Sequence, residues 1–365
     1  MAIVCDDLIQ QGGAEEVFLD VISCYPKAIV YTSYISDYWK NILKDRNIEY
    51  RTSFLQKFPL VSKLYRFYSI LYLHVLAFEG FEFSSFDLVL SLSSRYAHLV
   101  FTKPTTKHVC YMHSPARMFW NTKDYFGKEF WNLFLPLIYP FLFFSRMTDY
   151  IAAQRVDLFL VNSRVTQKRV KRYYHKESIV LNPSIEISNF HISKDIGDYF
   201  FIVSRLTSWK RIDLVIEAVN KLGLKLKISG YGSDLPRLKY LARNNPNIEF
   251  LGRVSDEEKY KFLSKCKALI YPQKEDFGIV PLECMASGRP VIAYGAGGAL
   301  ETVIPGETGL FFSEQSVESL MSTFNKYDDI KFISDTCVDR ARQFDKKLFK
   351  SKLEKLLNDV YLKSN

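Results

Sequence analysis

Residues 199–232, YFFIVSRLTSWKRIDLVIEAVNKLGLKLKISGYG, decide the fold. Residues 200–204 form an apolar run of strand length. After a polar loop, Ile212, Val215, Ile216, Val219 and Leu222 recur at helical spacing and stop at Gly223, a residue suited to the left-handed end of a helix. Residues 224–229 read as a second strand, and Gly230 and Gly232 bracket the turn into a helix near residues 235–243. Strand, helix, strand in this order is one βαβ unit.

The rhythm continues on both sides. Downstream, residues 248–251 read as a strand, and Ser255-Asp256-Glu257-Glu258 is a capping box that opens a helix to Lys265. Residues 268–271, 291–294 and 310–312 keep up the alternation, which predicts a doubly wound, mostly parallel sheet. Upstream, strands are expected at residues 2–5, 28–31, 88–92, 108–111, 158–161 and 179–181. Two helical stretches rich in aromatic residues, 60–78 and 128–153, separate them. A length of 365 residues fits two domains at roughly 100 to 200 residues each. We expect α/β domains at 1–182 and 199–344, a linker at 183–198, and a last helix at 346–362 that packs back on the first domain.

Composition removes several function classes. An apolar content of 48% with 24% charged residues excludes a disordered or collagen-like chain. The cysteines, at 5, 24, 110, 266, 284 and 337, form no CxxC pair and no metal-ligand spacing, so they read as reduced, mostly buried thiols of a cytoplasmic protein. The opening apolar run is ended by Asp6 and Asp7, unlike a secretory signal. The longest apolar run, residues 133–144, contains Pro136 and Pro140 and falls short of the ~20 residues that span a bilayer. The net charge of +9 is spread over both halves of the chain, and no nucleic-acid reader motif accompanies it. A phosphorylated ligand or an anionic membrane surface remains.

Four segments carry more than packing requires. Gly12-Gly13-Ala14-Glu15 lies between the first strand and a helix, where glycines admit a ligand to the backbone and a helix start favours an anion. Arg205 and Lys210 follow the first strand of the second domain, at the sheet edge where open α/β folds bind ligands. Two cations there suit a diphosphate, although this segment taken alone reads better as two solvated loop side chains. Residues 275–283, EDFGIVPLE, hold Glu275 and Glu283 on either side of Phe277-Gly278-Ile279, with Pro281 at the start of a helix. One carboxylate can meet a sugar beside the helix start and the other a more distant pair of hydroxyls. The fourth segment, Tyr111-Met112-His113-Ser114-Pro115, puts His113 at the end of a first-domain strand.

Together these segments resemble the retaining glycosyltransferases of the large family that includes bacterial mannosyl- and glucosyltransferases of polysaccharide assembly. The resemblance covers residues 3–344 and is strongest at residues 205–214, 275–283 and 297–303. It implies the GT-B fold, two Rossmann-like doubly wound domains facing a central cleft. Within the family, Tyr-x-His-Ser-Pro with Gly-Gly-Ala-Leu-Glu-Thr-Val is most similar to the branch that uses GDP-mannose for O-antigen or related glycans. The resemblance implies that Arg205 and Lys210 bind the donor diphosphate, Glu283 the nucleotide ribose, and Glu275 the donor sugar. It further implies that Phe277, Gly278 and Ile279 contact the donor through backbone, that His113 lies next to the donor sugar, and that Gly13 lies close to the reaction centre. The base is expected to meet backbone near residues 252–254. Asn182-Pro183-Ser184 departs from relatives that carry a second Pro or a Gly there, which touches no ligand residue.

No Asp-x-Asp motif stands at a strand end, so transfer is expected to need no metal and no cofactor. The expected acceptor is a lipid-linked or polysaccharide glycan. Phe54, Phe58, Leu64, Phe67, Tyr68, Leu71 and Tyr72 among Arg51, Lys57, Lys63 and Arg66 suit an anionic membrane surface. The basic run Arg164, Lys168, Arg169, Lys171, Arg172, Lys176 contains no acid and is either a second such surface or a solvated face. These features suggest a peripheral enzyme on the inner face of the plasma membrane. A UDP-sugar-dependent transferase is the alternative within the fold, and a nucleotide-sugar epimerase or a non-catalytic sugar-nucleotide binder the alternatives outside that activity.

Overall fold

The apolar runs of the central strands are buried on both faces, as parallel strands flanked by helices must be. In the computed structural model of the chain, which describes residues 1–58, 72–122 and 128–362 and no side chain of 128–137, they build two sheets. The first contains β1 (Ala2–Cys5), β2 (Ile29–Thr32), β3 (Tyr50–Thr52), β4 (Leu88–Ser93), β5 (Lys107–Met112), β6 (Leu158–Val161) and β7 (Ser178–Val180), in the order β3-β2-β1-β4-β5-β6-β7. The second contains β8 (Phe200–Val203), β9 (Leu226–Ser229), β10 (Ile248–Gly252), β11 (Leu269–Tyr271), β12 (Val291–Tyr294) and β13 (Gly309–Phe312), in the order β10-β9-β8-β11-β12-β13. Every pairing within these two sheets is parallel. Both strand orders are Rossmann-like, with a switch of direction between β1 and β4 and again between β8 and β11.

The chain divides into two compact units, Met1–Asn182 with Lys350–Asn365, and Pro183–Phe349. Residues 183–198 pack on the second unit. Arg289 Nη2 donates to the Ser193 carbonyl at 2.6 Å, Lys265 Nζ pairs with Asp195 at 2.6 Å, and Gly197 N–H donates to the Lys265 carbonyl at 2.8 Å. The short strand β3 had no counterpart in the sequence reading, because Tyr50-Arg51-Thr52 is a sheet edge with no buried residue and hence no apolar run. Most of the expected helix at 60–78 lies outside the described residues, and its end forms Leu73–Glu79.

Local signals set the remaining boundaries. Ser255 accepts from the Glu258 N–H while Glu258 reaches back, the reciprocal cap read from the sequence. Gly223 ends the Ile212–Leu222 helix at φ +67°. The helix Lys128–Gln154 runs through both Pro136 and Pro140; each proline removes one N–H from a ladder of 27 residues. No helix among the described residues is long and apolar enough to cross a membrane.

Candidate functional site

In an open parallel sheet the crevice lies beyond the carboxyl ends of the strands where the direction of winding switches. In the second unit these are the ends of β8 and β11, and the loops that follow them carry the residues of interest. After β8 the chain turns through Ser208–Lys210, with Lys210 N–H on the Thr207 carbonyl at 2.9 Å, and Arg211 takes φ +53° to start the next helix. This turn leaves Arg205 exposed and buries Lys210 to 7% exposure. The Lys210 ammonium lies 4.2 Å from the ring centroid of Trp209 and forms an ion pair with Glu275 on the loop after β11.

Glu275 has a second donor. The Tyr271 hydroxyl, at the end of β11, donates to Glu275 Oε2 at 2.5 Å. The Glu275 main chain is pinned as well, since Gly298 N–H donates to its carbonyl at 2.9 Å. This approach requires Gly298: a Cβ there would lie 2.2 Å from the Phe277 Cα. Gly278 is needed on two counts, because its φ is +91° and a Cβ would lie 2.4 Å from the Tyr271 hydroxyl. It caps the helix Ile279–Ala286, so the first N–H groups of that helix begin beside Glu275. Pro281 is the third residue of this helix rather than its first, still within the turn whose N–H groups have no helical partner.

Glu283, one turn on, belongs to a separate pair. Lys259 Nζ reaches Glu283 Oε1 at 2.9 Å and Asp256 at 3.1 Å. Burial pulls the Lys259 pKa down, but Glu283 and Asp256 outweigh it and raise it above the ordinary lysine value. The phenyl ring of Phe277 is core, 5.8 Å from Phe344 and 3% exposed, which leaves its backbone for any ligand. Ile279 packs partly buried against the same cluster.

In the first unit, His113 follows β5 and is buried, its N–H on the Ser93 carbonyl at 2.8 Å and its ring 5.1 Å from that of Tyr111. Arg169 donates to Ser114 Oγ at 3.2 Å. Gly13 is exposed and is the first residue of the helix Gly13–Cys24. The neighbouring loops are braced by Asp6, whose carboxylate accepts the N–H groups of Ser94, Arg95, Tyr96 and Ala97 at 2.6 to 3.0 Å. That ties the ends of β1 and β4 together across the switch in winding.

The structure thus joins Lys210 to Glu275, sets Glu283 on a second ion pair, and places Gly13 and His113 in the other unit. Tyr271 and Lys259 were missed by the sequence reading. The Tyr271 ring satisfies the apolar pattern of a strand, and nothing in the sequence ties Lys259 to Glu283 on another helix. Among the described residues no group of three or more His, Cys, Asp or Glu is placed to hold a metal ion.

Two Rossmann-like units of this order define the GT-B fold. Residues 183–344, the span of this site, match the family model described as Glycosyl transferases group 1. Over 98% of its length the chain superposes on 99% of Anabaena HepE, solved in complex with UDP and glucose, with a TM-score of 0.73 at 18% identity. An uncharacterized glycosyltransferase of Methanocaldococcus jannaschii is 28% identical, covering 58% of this chain and 60% of the relative. The alpha-1,3/1,6-mannosyltransferase ALG2 of Dictyostelium discoideum is 46% identical over 22% of this chain and 19% of its own length. The chain therefore spans less than two thirds of the length of these curated relatives.

Proposed function

We propose that this chain is a glycosyltransferase that moves a hexose from a nucleoside-diphosphate donor to an acceptor hydroxyl with retention at the anomeric carbon. The observation that carries the reading is the Lys210–Glu275 ion pair between the loops after β8 and β11, beside the helix that begins at Gly278. Departure of the diphosphate puts negative charge on its oxygens while the sugar becomes oxocarbenium-like. Lys210, Arg205 and the helix N–H groups suit the first charge, and Glu275 suits the second. The anomeric C–O bond to the diphosphate breaks, the acceptor oxygen bonds the same carbon from the same face, and its proton passes to the departing phosphate oxygen. Glu283 holds the ribose hydroxyls and backbone near residues 252–254 meets the base. In the first unit, the resemblance of the motifs assigns His113 to the donor sugar and Gly13 to the reaction centre. Two cations and a helix start supply the charge that a metal ion supplies elsewhere, so transfer proceeds without metal or cofactor.

The donor divides into two readings. The whole-length likeness to HepE with UDP and glucose supports a UDP-sugar, which we place first. The motifs at residues 111–115 and 297–303 and the shorter likeness to ALG2 support GDP-mannose. Incubation with a panel of UDP- and GDP-sugars, followed by mass spectrometry for slow donor hydrolysis, is expected to show release from one base class and not the other. Release from neither rejects the transferase reading, and free epimer without an acceptor product turns it to an epimerase.

A lipid-linked glycan acceptor at an anionic membrane surface fits the first unit. Along one face of the Lys128–Gln154 helix, Tyr139, Phe143, Phe144, Met147 and Ile151 are about half exposed. The adjoining basic helix Arg164–Tyr174 carries no acid, and Lys176 caps the Gln154 carbonyl at 3.1 Å. The chain is expected to co-sediment with phosphatidylglycerol vesicles at low salt, and Phe143→Ser with Phe144→Ser to lose most of that binding. Equal sedimentation of the double variant would remove this face from the acceptor reading.

A further inference from the structure

Tyr271 is the last residue of β11 and is 2% exposed, its ring packed in a cluster with Phe201, Leu263, Phe277, Leu282 and Met285. A hydroxyl carried into such surroundings is costly without a partner. It finds one in Glu275, and the 2.5 Å bond is in the range of a hydroxyl donating to a carboxylate. The loop is shaped around this hydroxyl. It turns from Glu275 to Gly278 so closely over the ring that a Gly278 Cβ would clash with the Tyr271 oxygen.

Glu275 is therefore gripped by two donors of different character. Lys210 is a point charge, and a diphosphate bound in the crevice competes with the carboxylate for it. Tyr271 is neutral and buried, offers nothing for a diphosphate to recruit, and approaches the other carboxylate oxygen. We propose that Tyr271 is a positioning residue, which keeps the Glu275 carboxylate aimed at the sugar while Lys210 turns to the departing diphosphate. This rests on the reading of Glu275 as the carboxylate beside the donor sugar.

Tyr271→Phe removes the bond and keeps the ring. The expected result is a kcat lowered ~10- to 100-fold, the usual weight of a hydrogen bond to a charged group, with nucleoside-diphosphate affinity within about twofold of wild type. The pH profile separates positioning from general loosening. A hydrogen bond to the ionised form favours that form of a carboxyl group, so its loss moves the acid limb of kcat to higher pH. Lys210, from the loop after β8, and the Tyr271 hydroxyl, at the end of β11, contact this carboxylate, and Lys274 and Asp276 flank it in sequence. The apposed segment 295–298, Gly-Ala-Gly-Gly, brings no titratable side chain. A Tyr271→Phe enzyme with wild-type kcat and an unmoved acid limb overturns the assignment.

A second readout needs no donor. The Glu275 carboxyl, followed by carbon-13 NMR titration against a Glu275→Gln reference, is expected to titrate higher in Tyr271→Phe than in wild type. Identical titration overturns the proposal. A wild-type chain that releases sugar from no donor rejects the reading of the site instead, and the titration then still decides whether Tyr271 controls Glu275.

Discussion

Glu275→Gln is expected to stop sugar transfer while tightening the binding of the nucleoside diphosphate. The two effects have opposite signs because the carboxylate serves the sugar and competes for the cation. Its amide isostere still accepts from Tyr271 but carries no charge to oppose an oxocarbenium-like carbon, and removal of one preorganised electrostatic partner typically lowers kcat ~10²- to 10³-fold. Lys210, only 7% exposed, is left facing a neutral group. A buried charge deprived of its partner is destabilising, by ~3 kcal/mol or somewhat less here because Glu275 is partly solvated. A bound diphosphate returns the missing anion, so part of that penalty reappears as affinity. Calorimetric titration with UDP and GDP should show Kd falling several-fold in the variant, with a larger rise in melting temperature on adding nucleotide. Wild-type turnover in Glu275→Gln would remove the role given to Glu275. Weaker nucleotide binding would mean that the ion pair does not border the diphosphate.

That competition could not be read from the sequence, although both partners could. Lys210 and Glu275 are 65 positions apart; Lys210 stands out by its place after a strand, and Glu275 by its spacing from Glu283 around Phe277-Gly278-Ile279. What joins them is the neighbouring position of β8 and β11 in the sheet, a consequence of the switch in winding. The strands were legible for a physical reason. Parallel strands covered on both faces need continuous apolar runs such as Phe200–Val203 and Val291–Tyr294. The same rule hid Tyr50–Thr52, an edge strand without a buried residue. It also hid the chemistry of Tyr271, whose ring satisfies the apolar pattern while its hydroxyl holds a carboxylate. Lys259 shows a further limit: it lies 24 residues from Glu283 on another helix, and only the packing of those helices makes a pair of them.

Lys210→Ala is expected to weaken diphosphate binding ~10- to 100-fold and to lower transfer further, since one group serves both the bound donor and its departing charge. Arg205→Ala should cost less. Arg205 is exposed, so its attraction to phosphate acts through solvent and is screened by salt, whereas Lys210 is buried against Glu275 and Trp209. The distinction is measurable as salt dependence. Raising ionic strength from about 0.05 to 0.5 M shortens the screening length to a few ångströms. It should narrow the gap between wild type and Arg205→Ala while leaving most of the Lys210→Ala deficit in place. Lys210→Arg should rescue poorly, because the planar guanidinium does not fit the compact place that an ammonium occupies between the Trp209 ring and the Glu275 carboxylate. If Lys210→Ala binds UDP or GDP as the wild type does, the diphosphate lies elsewhere and the Lys210–Glu275 pair is structural. If Arg205→Ala proves the more damaging change at high salt, the helix start and the exposed arginine, rather than the buried lysine, carry the departing charge.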